Sequence, residues 1–255
     1  MGSIKQSVTF WPIGRLAAST PDYAARLAAI GFVAVEMAPE NQWPAIRAAG
    51  LAIPIFGGHG SLGDGLNKRE NHDRIERELR ANISKAAANG IPSLIVFSGN
   101  RRGQGDDEGV AICAEGLRRV IRQAEDEGVT LCMELLNSRV DHPDYQCDRT
   151  PWGVRLCEAV GSPRCKLLYD IYHMQIMEGD LIRTIRNNIR YIGHFHTAGN
   201  PGRHNLDDQQ EIHYPAVMRA IASTDYDGYV GHEFGPVGDP WEALRQAYEA
   251  CHVGD

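Results

Sequence analysis

Four ionisable residues lie close to the ends of apolar segments in the second half of the sequence. They are Glu134 in CMELLN, Asp170 in LLYDIYH, His196 in GHFHTAGNPGR and Glu233 in GHEFGP, with separations of 36, 26 and 37 residues. Three carboxylates and an imidazole that meet in one place must protonate or share a cation. These hard donors favour Mg²⁺ or Mn²⁺, with Co²⁺ as an alternative, over a thiolate-type zinc site. The competing interpretation makes each residue an ion-pair partner or a helix cap.

The elements that must position these residues follow a regular alternation. Eight apolar segments that are typical of strands alternate with helix-like segments. The 36, 26 and 37 residues between the four ionisable residues each correspond to about one strand plus one helix. The predicted strands cover residues 5–10, 32–37, 51–56, 93–98, 129–135, 165–170, 191–196 and 228–233. The predicted helices cover residues 20–31, 44–50, 67–90, 106–128, 150–161, 179–188, 214–224 and 240–250.

Two folds satisfy this alternation of parallel βαβ units. An open doubly wound sheet is disfavoured because no G-x-G-x-x-G follows the first strand and no P-loop motif occurs. Eight units in 255 residues favour a single (β/α)8 TIM barrel domain over residues 1–255. The active sites of such barrels lie at the carboxyl ends of the strands. Side-chain alternation turns Glu134 to the barrel interior and points His194 and His196 the same way.

Residues beyond the strand ends extend the candidate site. His173 follows the sixth strand in a predicted loop, and Arg203 lies in NPGRH after the seventh. Both could bind oxygens of a polar substrate, and the arginine suits a carboxylate or vicinal hydroxyls. His59 in GGHGS and Trp11 after the first strand are weaker candidates for substrate contact.

Composition narrows the classes of function. The 26 basic and 33 acidic residues give a formal charge of −7, which disfavours nucleic acid and fits a small-molecule ligand. No apolar run reaches the ~18 residues of a membrane span, and no signal-peptide pattern opens the chain, so a cytoplasmic location is expected. Six scattered cysteines without a C-x-x-C pair are expected to be free thiols. Association into a homo-oligomer stays open.

Five motifs together resemble a known family. ELLN, YDIYHMQIMEGD, YIGHFHTAGNPGRH, EIHYPAVMRAI and GYVGHEF are similar to the hydroxypyruvate isomerase branch of the xylose-isomerase-like barrels. The tagatose/psicose 3-epimerases are close relatives of that branch. The resemblance covers nearly the whole chain and is densest over residues 129–236. It implies a divalent ion held by Glu134, Asp170, His196 and Glu233, with substrate contacts from His173 and Arg203.

One departure from the family pattern leaves the substrate open. His196 stands where hydroxypyruvate isomerases have Gln and the 3-epimerases have His. By contrast, NPGRH followed by EIHY is nearer to the isomerase pattern, which is usually EINY.

The implied chemistry moves a proton between adjacent carbons of an α-hydroxycarbonyl compound through an enediolate. Glu134 and Glu233 are the expected acid and base. The leading expectation is an isomerase of a small hydroxycarbonyl acid or sugar, and a ketose 3-epimerase is the second. A dehydratase on the same scaffold and a barrel that binds a sugar or a partner without turnover are further alternatives.

Overall fold

A computed structural model describes residues 4–254. The predicted domain over residues 1–255 therefore includes four positions, 1–3 and 255, that lie outside the described residues. The strands are β1 Lys5–Thr9, β2 Ala34–Glu36, β3 Ile55–Gly57, β4 Ser93–Val96, β5 Thr130–Leu135, β6 Cys165–Asp170, β7 Ile192–Thr197 and β8 Tyr229–His232. The α-helices are α1 Phe10–Ser19, α2 Tyr23–Ile30, α3 Trp43–Ala48, α4 His72–Ala88, α5 Asp106–Arg118, α6 Ile121–Glu127, α7 Thr150–Val160, α8 Ile171–Met177, α9 Leu181–Asn188, α10 Tyr214–Ala222 and α11 Pro240–Cys251.

All eight predicted strands are present, and most of their ends differ from the prediction by one or two residues. The largest difference is in β3, which begins at Ile55 instead of residue 51. Pro54 precedes it and has no N–H to donate to a ladder, which accounts for the late start. Glu233 lies one residue beyond β8.

The sequence analysis missed two helices, α1 and α8, because each begins at the residue directly after its strand. The predicted loop position of His173 is therefore wrong: this residue lies in the first turn of α8. Trp11 likewise lies in the first turn of α1. The predicted helix over 106–128 is two helices, since α5 ends at Arg118 and α6 begins at Ile121.

Contacts divide the chain into two compact units. Unit 1 comprises the chain up to Pro54, Asp180–Ile189 and the chain from His194 onward. Its strands are parallel in the order β2-β1-β8-β7. Ser7 pairs with Gly231 and Gly231 pairs with His196, so these three residues lie at one level across three strands. The core of unit 1 is apolar, and its fully buried members include Val8, Leu27, Val35, Ile46, Phe195 and Val230.

Unit 2 comprises Ile55–Gly179 and Arg190–Gly193. Its strands are parallel in the order β6-β5-β4-β3, and Glu134 on β5 pairs with Leu168 on β6. Helix α4 buries Ile75, Leu79 and Ile83 at helical spacing, as the sequence pattern predicts. A polar helix face remains for solvent, and the apolar face covers the strands.

Two further expectations concern the whole described chain. All six cysteines are free and buried, as predicted from their scattered positions. No α-helix within residues 4–254 has both the length and the apolar composition that a bilayer crossing requires.

Candidate active site

Two predicted metal ligands of unit 2 lie on adjacent strands. Glu134 is the fifth residue of β5, and Asp170 is the last residue of β6. Both are buried, and one donor atom of each lies within 4.8 Å of the other. The backbone carbonyl of Glu134 accepts a hydrogen bond of 3.0 Å from the Tyr145 hydroxyl, which fixes the end of this strand. Two carboxylates at this separation and burial repel each other unless a proton or a cation compensates them.

Asp170 is also the N-cap residue of helix α8. Its Oδ1 accepts the backbone N–H of His173 at 3.0 Å, which is the N-cap arrangement of a helix start. The same turn brings His173 Nε2 to 3.6 Å from Asp170 Oδ2. The imidazole is completely buried. A strand that runs directly into a capped helix therefore holds both side chains rigidly.

Asn137 orients His173, and sequence reasoning missed this role although ELLN contains the residue. Its Nδ2 donates to His173 Nδ1 and to Asp141 Oδ2, both at 2.6 Å. Its Oδ1 accepts the backbone N–H groups of Val140 and Asp141. Because the amide donates, His173 Nδ1 must accept, and the ring carries its hydrogen on Nε2. The signal in the sequence is a polar amide two residues after a strand end.

The other two predicted ligands belong to unit 1. His196 lies on β7, Glu233 follows β8, and His196 Nδ1 is 3.2 Å from Glu233 Oε2. The backbone N–H of Glu233 donates to the Thr197 carbonyl at 2.9 Å, which continues the pairing of these strands past the end of β8. Both ligand side chains are buried.

Two of the predicted substrate contacts hold Glu233. Trp11 Nε1 donates to Oε1 at 3.0 Å, and Arg203 Nη2 donates to Oε2 at 2.5 Å. The guanidinium carbon of Arg203 lies 6.0 Å from the centre of the Trp11 ring. Half of the Trp11 surface is exposed (51%), so the indole forms a wall of the site that solvent reaches.

Glu36 is a buried carboxylate in unit 1 that the sequence analysis did not single out. Its oxygens accept hydrogen bonds from His194 Nε2 and His196 Nε2 at 3.0 Å, and from the Ser7 hydroxyl. Burial alone would raise the pKa of Glu36, but the two imidazoles lower it well below its ordinary value. The common contact with Glu36 confirms that His194 and His196 point the same way.

His59 in unit 2 makes backbone contacts through both ring nitrogens. Nδ1 donates to the Gly60 carbonyl at 2.9 Å, and Nε2 accepts the Phe97 N–H at 3.0 Å. Burial lowers the pKa of this imidazole. A substrate could therefore meet His59 only through ring carbons.

The donor types fit the cation that the family resemblance implies. Glu134, Asp170 and Glu233 supply carboxylate oxygens and His196 supplies an imidazole nitrogen, all from buried positions. Buried carboxylates are stable when a cation or charged partners compensate them. Arg203 is such a partner for Glu233. Oxygen-rich sets with one imidazole suit Mg²⁺, Mn²⁺ or Co²⁺.

Eight βα units with ionisable residues at the strand ends define the class of (β/α)8-barrel enzymes. A family model described as "Xylose isomerase-like TIM barrel" matches residues 24–251, and the chain belongs to this family. The predicted barrel fold is thereby confirmed, and the open doubly wound sheet is excluded.

Known proteins similar to this chain agree with the family. A "Putative hydroxypyruvate isomerase" from Homo sapiens is 32% identical over 231 residues, which are 84% of this chain and 83% of that protein. The crystal structure of "AP endonuclease, family 2" from Brucella melitensis matches with a TM-score of 0.83 at 25% identity. The match covers 94% of this chain and 97% of the endonuclease chain.

A D-psicose 3-epimerase from Clostridium cellulolyticum H10, solved with D-tagatose, has a TM-score of 0.76 at 19% identity. That similarity covers 97% of this chain and 96% of the epimerase, and it shows the fold alone. With the curated relative, the family identifies the chain as an enzyme of the isomerase class, as the motifs predict.

Proposed function

We propose that this enzyme isomerises a small hydroxycarbonyl acid of the hydroxypyruvate type, with a divalent metal ion and two glutamates as acid and base. The observation that carries the proposal is the setting of Glu134 and Glu233. Each is a buried carboxylate at a strand end, and each lies beside another predicted ligand, Asp170 in unit 2 and His196 in unit 1. The curated relative named for hydroxypyruvate supports this class of substrate.

The proposed metal ligands are the four side chains that the motifs single out, namely Glu134 and Asp170 of unit 2 and His196 and Glu233 of unit 1. We propose that the two pairs hold a single ion, with Mg²⁺ or Mn²⁺ preferred and Co²⁺ acceptable. When bound, such an ion acts as a Lewis acid toward the carbonyl and hydroxyl oxygens of a substrate.

The two glutamates transfer the proton between adjacent carbons. One removes it and the other returns it, and this requires carboxylates held in fixed directions on different strands. Glu233 has this property because Trp11 and Arg203 each hold one of its oxygens. For Glu134 the Tyr145 hydroxyl fixes the backbone from which the side chain projects.

Polar side chains around the glutamates bind the substrate. His173 donates from Nε2, since Asn137 occupies its Nδ1. Arg203 offers a guanidinium fork to a substrate carboxylate, and Trp11 supplies an apolar wall. His59 contributes ring carbons to the lining.

A ketose 3-epimerase is the second candidate, and His196 favours it. This histidine stands where the isomerase pattern has Gln, and the epimerases have His at that position. Both reactions pass through the same enediolate, so the placement of the substrate decides between them.

We further propose that the enzyme folds as a single domain and is located in the cytoplasm. The family match over residues 24–251 includes parts of both units, which supports the single domain. Six buried free cysteines support a reducing compartment.

Proton NMR in deuterated water tests the proposal. The enzyme is first loaded with Mn²⁺, and this ion is then exchanged for Mg²⁺ before the spectra are recorded. The enzyme is then mixed with hydroxypyruvate or with a panel of ketoses. We expect solvent deuterium to appear in the isomerised acid. The substitutions Glu134→Gln and Glu233→Gln should each lower the rate of deuterium incorporation about 10²- to 10⁴-fold.

Glu178→Gln is the matched control, because the carboxylate of this glutamate accepts hydrogen bonds from the N–H and the hydroxyl of Thr150 and is not a proposed ligand. Wild-type exchange rates in both folded active-site variants would contradict the two-glutamate mechanism. Loss of water from the substrate would indicate a dehydratase, and conversion of ketoses alone would indicate the epimerase.

A further inference from the structure

Glu36 is a completely buried carboxylate at the end of β2 to which the proposed reaction assigns no role. A charge in such a position is costly unless several donors satisfy it. Three side chains from two strands of unit 1 supply those donors, namely Ser7 on β1 with His194 and His196 on β7.

The strands of unit 1 leave space for this carboxylate at one position. Gly231 on β8 pairs with Ser7 on one side and with His196 on the other. A Cβ atom at residue 231 would lie 2.3 Å from Glu36 Oε1, which no real side chain tolerates. Only glycine at this position lets the Glu36 side chain reach both histidines.

The contacts determine which nitrogens carry hydrogen. A carboxylate only accepts hydrogen bonds, so His194 Nε2 and His196 Nε2, each 3.0 Å from Glu36, are both donors. On the opposite edge of the His196 ring, Nδ1 lies 3.2 Å from Glu233 Oε2. In the metal-free protein Nδ1 can also carry hydrogen toward this carboxylate, whereas a bound cation would take the Nδ1 lone pair and a Glu233 oxygen together.

We propose that Glu36 is a positioning residue, which fixes His196 as the Nε2–H tautomer and aims its Nδ1 at the metal ion. The inference rests on the proposed function, because it requires the divalent ion there. Ligating histidines commonly donate their second ring N–H to a carboxylate, which orients the ring and raises the basicity of the ligating nitrogen. His194 and Ser7 in turn hold the carboxylate in place.

Replacing Glu36 by glutamine tests this arrangement with little change in volume. A glutamine side chain has one acceptor oxygen, and its amide group would face an imidazole N–H. We expect Glu36→Gln to weaken Mn²⁺ binding about 10- to 100-fold, the usual effect of losing such a partner. Ser7→Ala removes one donor to the same carboxylate and should produce a smaller loss, so it serves if the glutamine variant fails to fold.

The first measurement needs no metal. Nitrogen-15 NMR of histidine-labelled, metal-free protein reports the tautomer of each ring, and His196→Gln assigns the relevant signal. We expect Nε2 of His196 to carry hydrogen in the wild type, with or without hydrogen on Nδ1, and to lose it in part of the Glu36→Gln molecules. A wild-type ring without hydrogen on Nε2, or the same Nε2 protonation in both proteins, would overturn the role of Glu36.

The second measurement is the Mn²⁺ affinity, read from the EPR signal of free Mn²⁺, with Glu178→Gln as the matched control. Weaker binding in Glu36→Gln and Ser7→Ala, with the control unchanged, supports the inference. Equal affinity in all variants overturns it. If the wild type binds no Mn²⁺ while the His196 ring still depends on Glu36, the proposed metal centre is overturned. The role of Glu36 in aiming a metal ligand is then overturned with it.

Discussion

The two units of this enzyme hold the buried carboxylates of the candidate site by different chemistry. In unit 1, Glu233 and Glu36 contact charged or chargeable groups, a guanidinium and two imidazoles. In unit 2, Asp170 caps a helix and the Asn137 amide orients the neighbouring His173. Charge-assisted hydrogen bonds are about twice as strong as neutral ones. The comparison indicates that unit 1 fixes its groups electrostatically, whereas unit 2 fixes them through backbone geometry.

If this difference is correct, the most damaging change to a positioning contact should be in unit 1. We expect Arg203→Ala to lower kcat/KM about 10- to 100-fold, because Glu233 loses a charge-assisted donor and the substrate loses a guanidinium. Steady-state kinetics measure the effect, and Arg203→Lys should recover part of it by keeping the charge.

Arg183→Ala is the control for that experiment, since Arg183 pairs with Asp180 on the surface of unit 1. An Arg203→Ala enzyme with wild-type kcat/KM would contradict the electrostatic account of Glu233.

The corresponding change in unit 2 should be smaller. Asn137→Ala removes a neutral donor to His173, so we expect kcat/KM to fall about 3- to 10-fold. Asn89→Ala serves as its control, because that amide binds the Lys85 carbonyl at the end of α4. A loss in Asn137→Ala larger than that in Arg203→Ala would reverse the comparison between the units.

The smallest expected effect is on stability and concerns His59. Its pKa is lowered in the folded protein, so the unfolded chain binds a proton more readily. The stabilising contribution is therefore present above the ordinary histidine pKa of about 6.5 and is lost as the pH falls below it.

Urea unfolding at pH 7 and pH 5 measures this contribution. Between these values His59→Gln should lose less of its free energy of unfolding than the wild type does. The same pH dependence in both proteins would show that His59 does not titrate as described.

The sequence predicted the parts of the site that depend on spacing alone. Strands at regular intervals placed Glu134, Asp170, His196 and Glu233 at strand ends, and only Glu233 differs, since it lies one residue beyond β8. It did not reveal that α8 begins at Ile171, because a helix that follows a strand without a loop has no composition signal of its own. The sheet register brings Glu36, 158 residues before His194, to that histidine. Such a contact depends on pairing between strands and on the missing side chain of Gly231, which a pattern along the chain does not encode.

The central proposal is that Glu134, Asp170, His196 and Glu233 hold one divalent metal ion. Titration of the metal-free protein with Mn²⁺, followed by EPR, tests it in wild type, in Asp170→Asn of unit 2 and in His196→Gln of unit 1. We predict one tightly bound ion per chain and a large loss of affinity in each variant, with the folds checked by circular dichroism. Undiminished Mn²⁺ affinity in either folded variant, or two independent ions per wild-type chain, would contradict it.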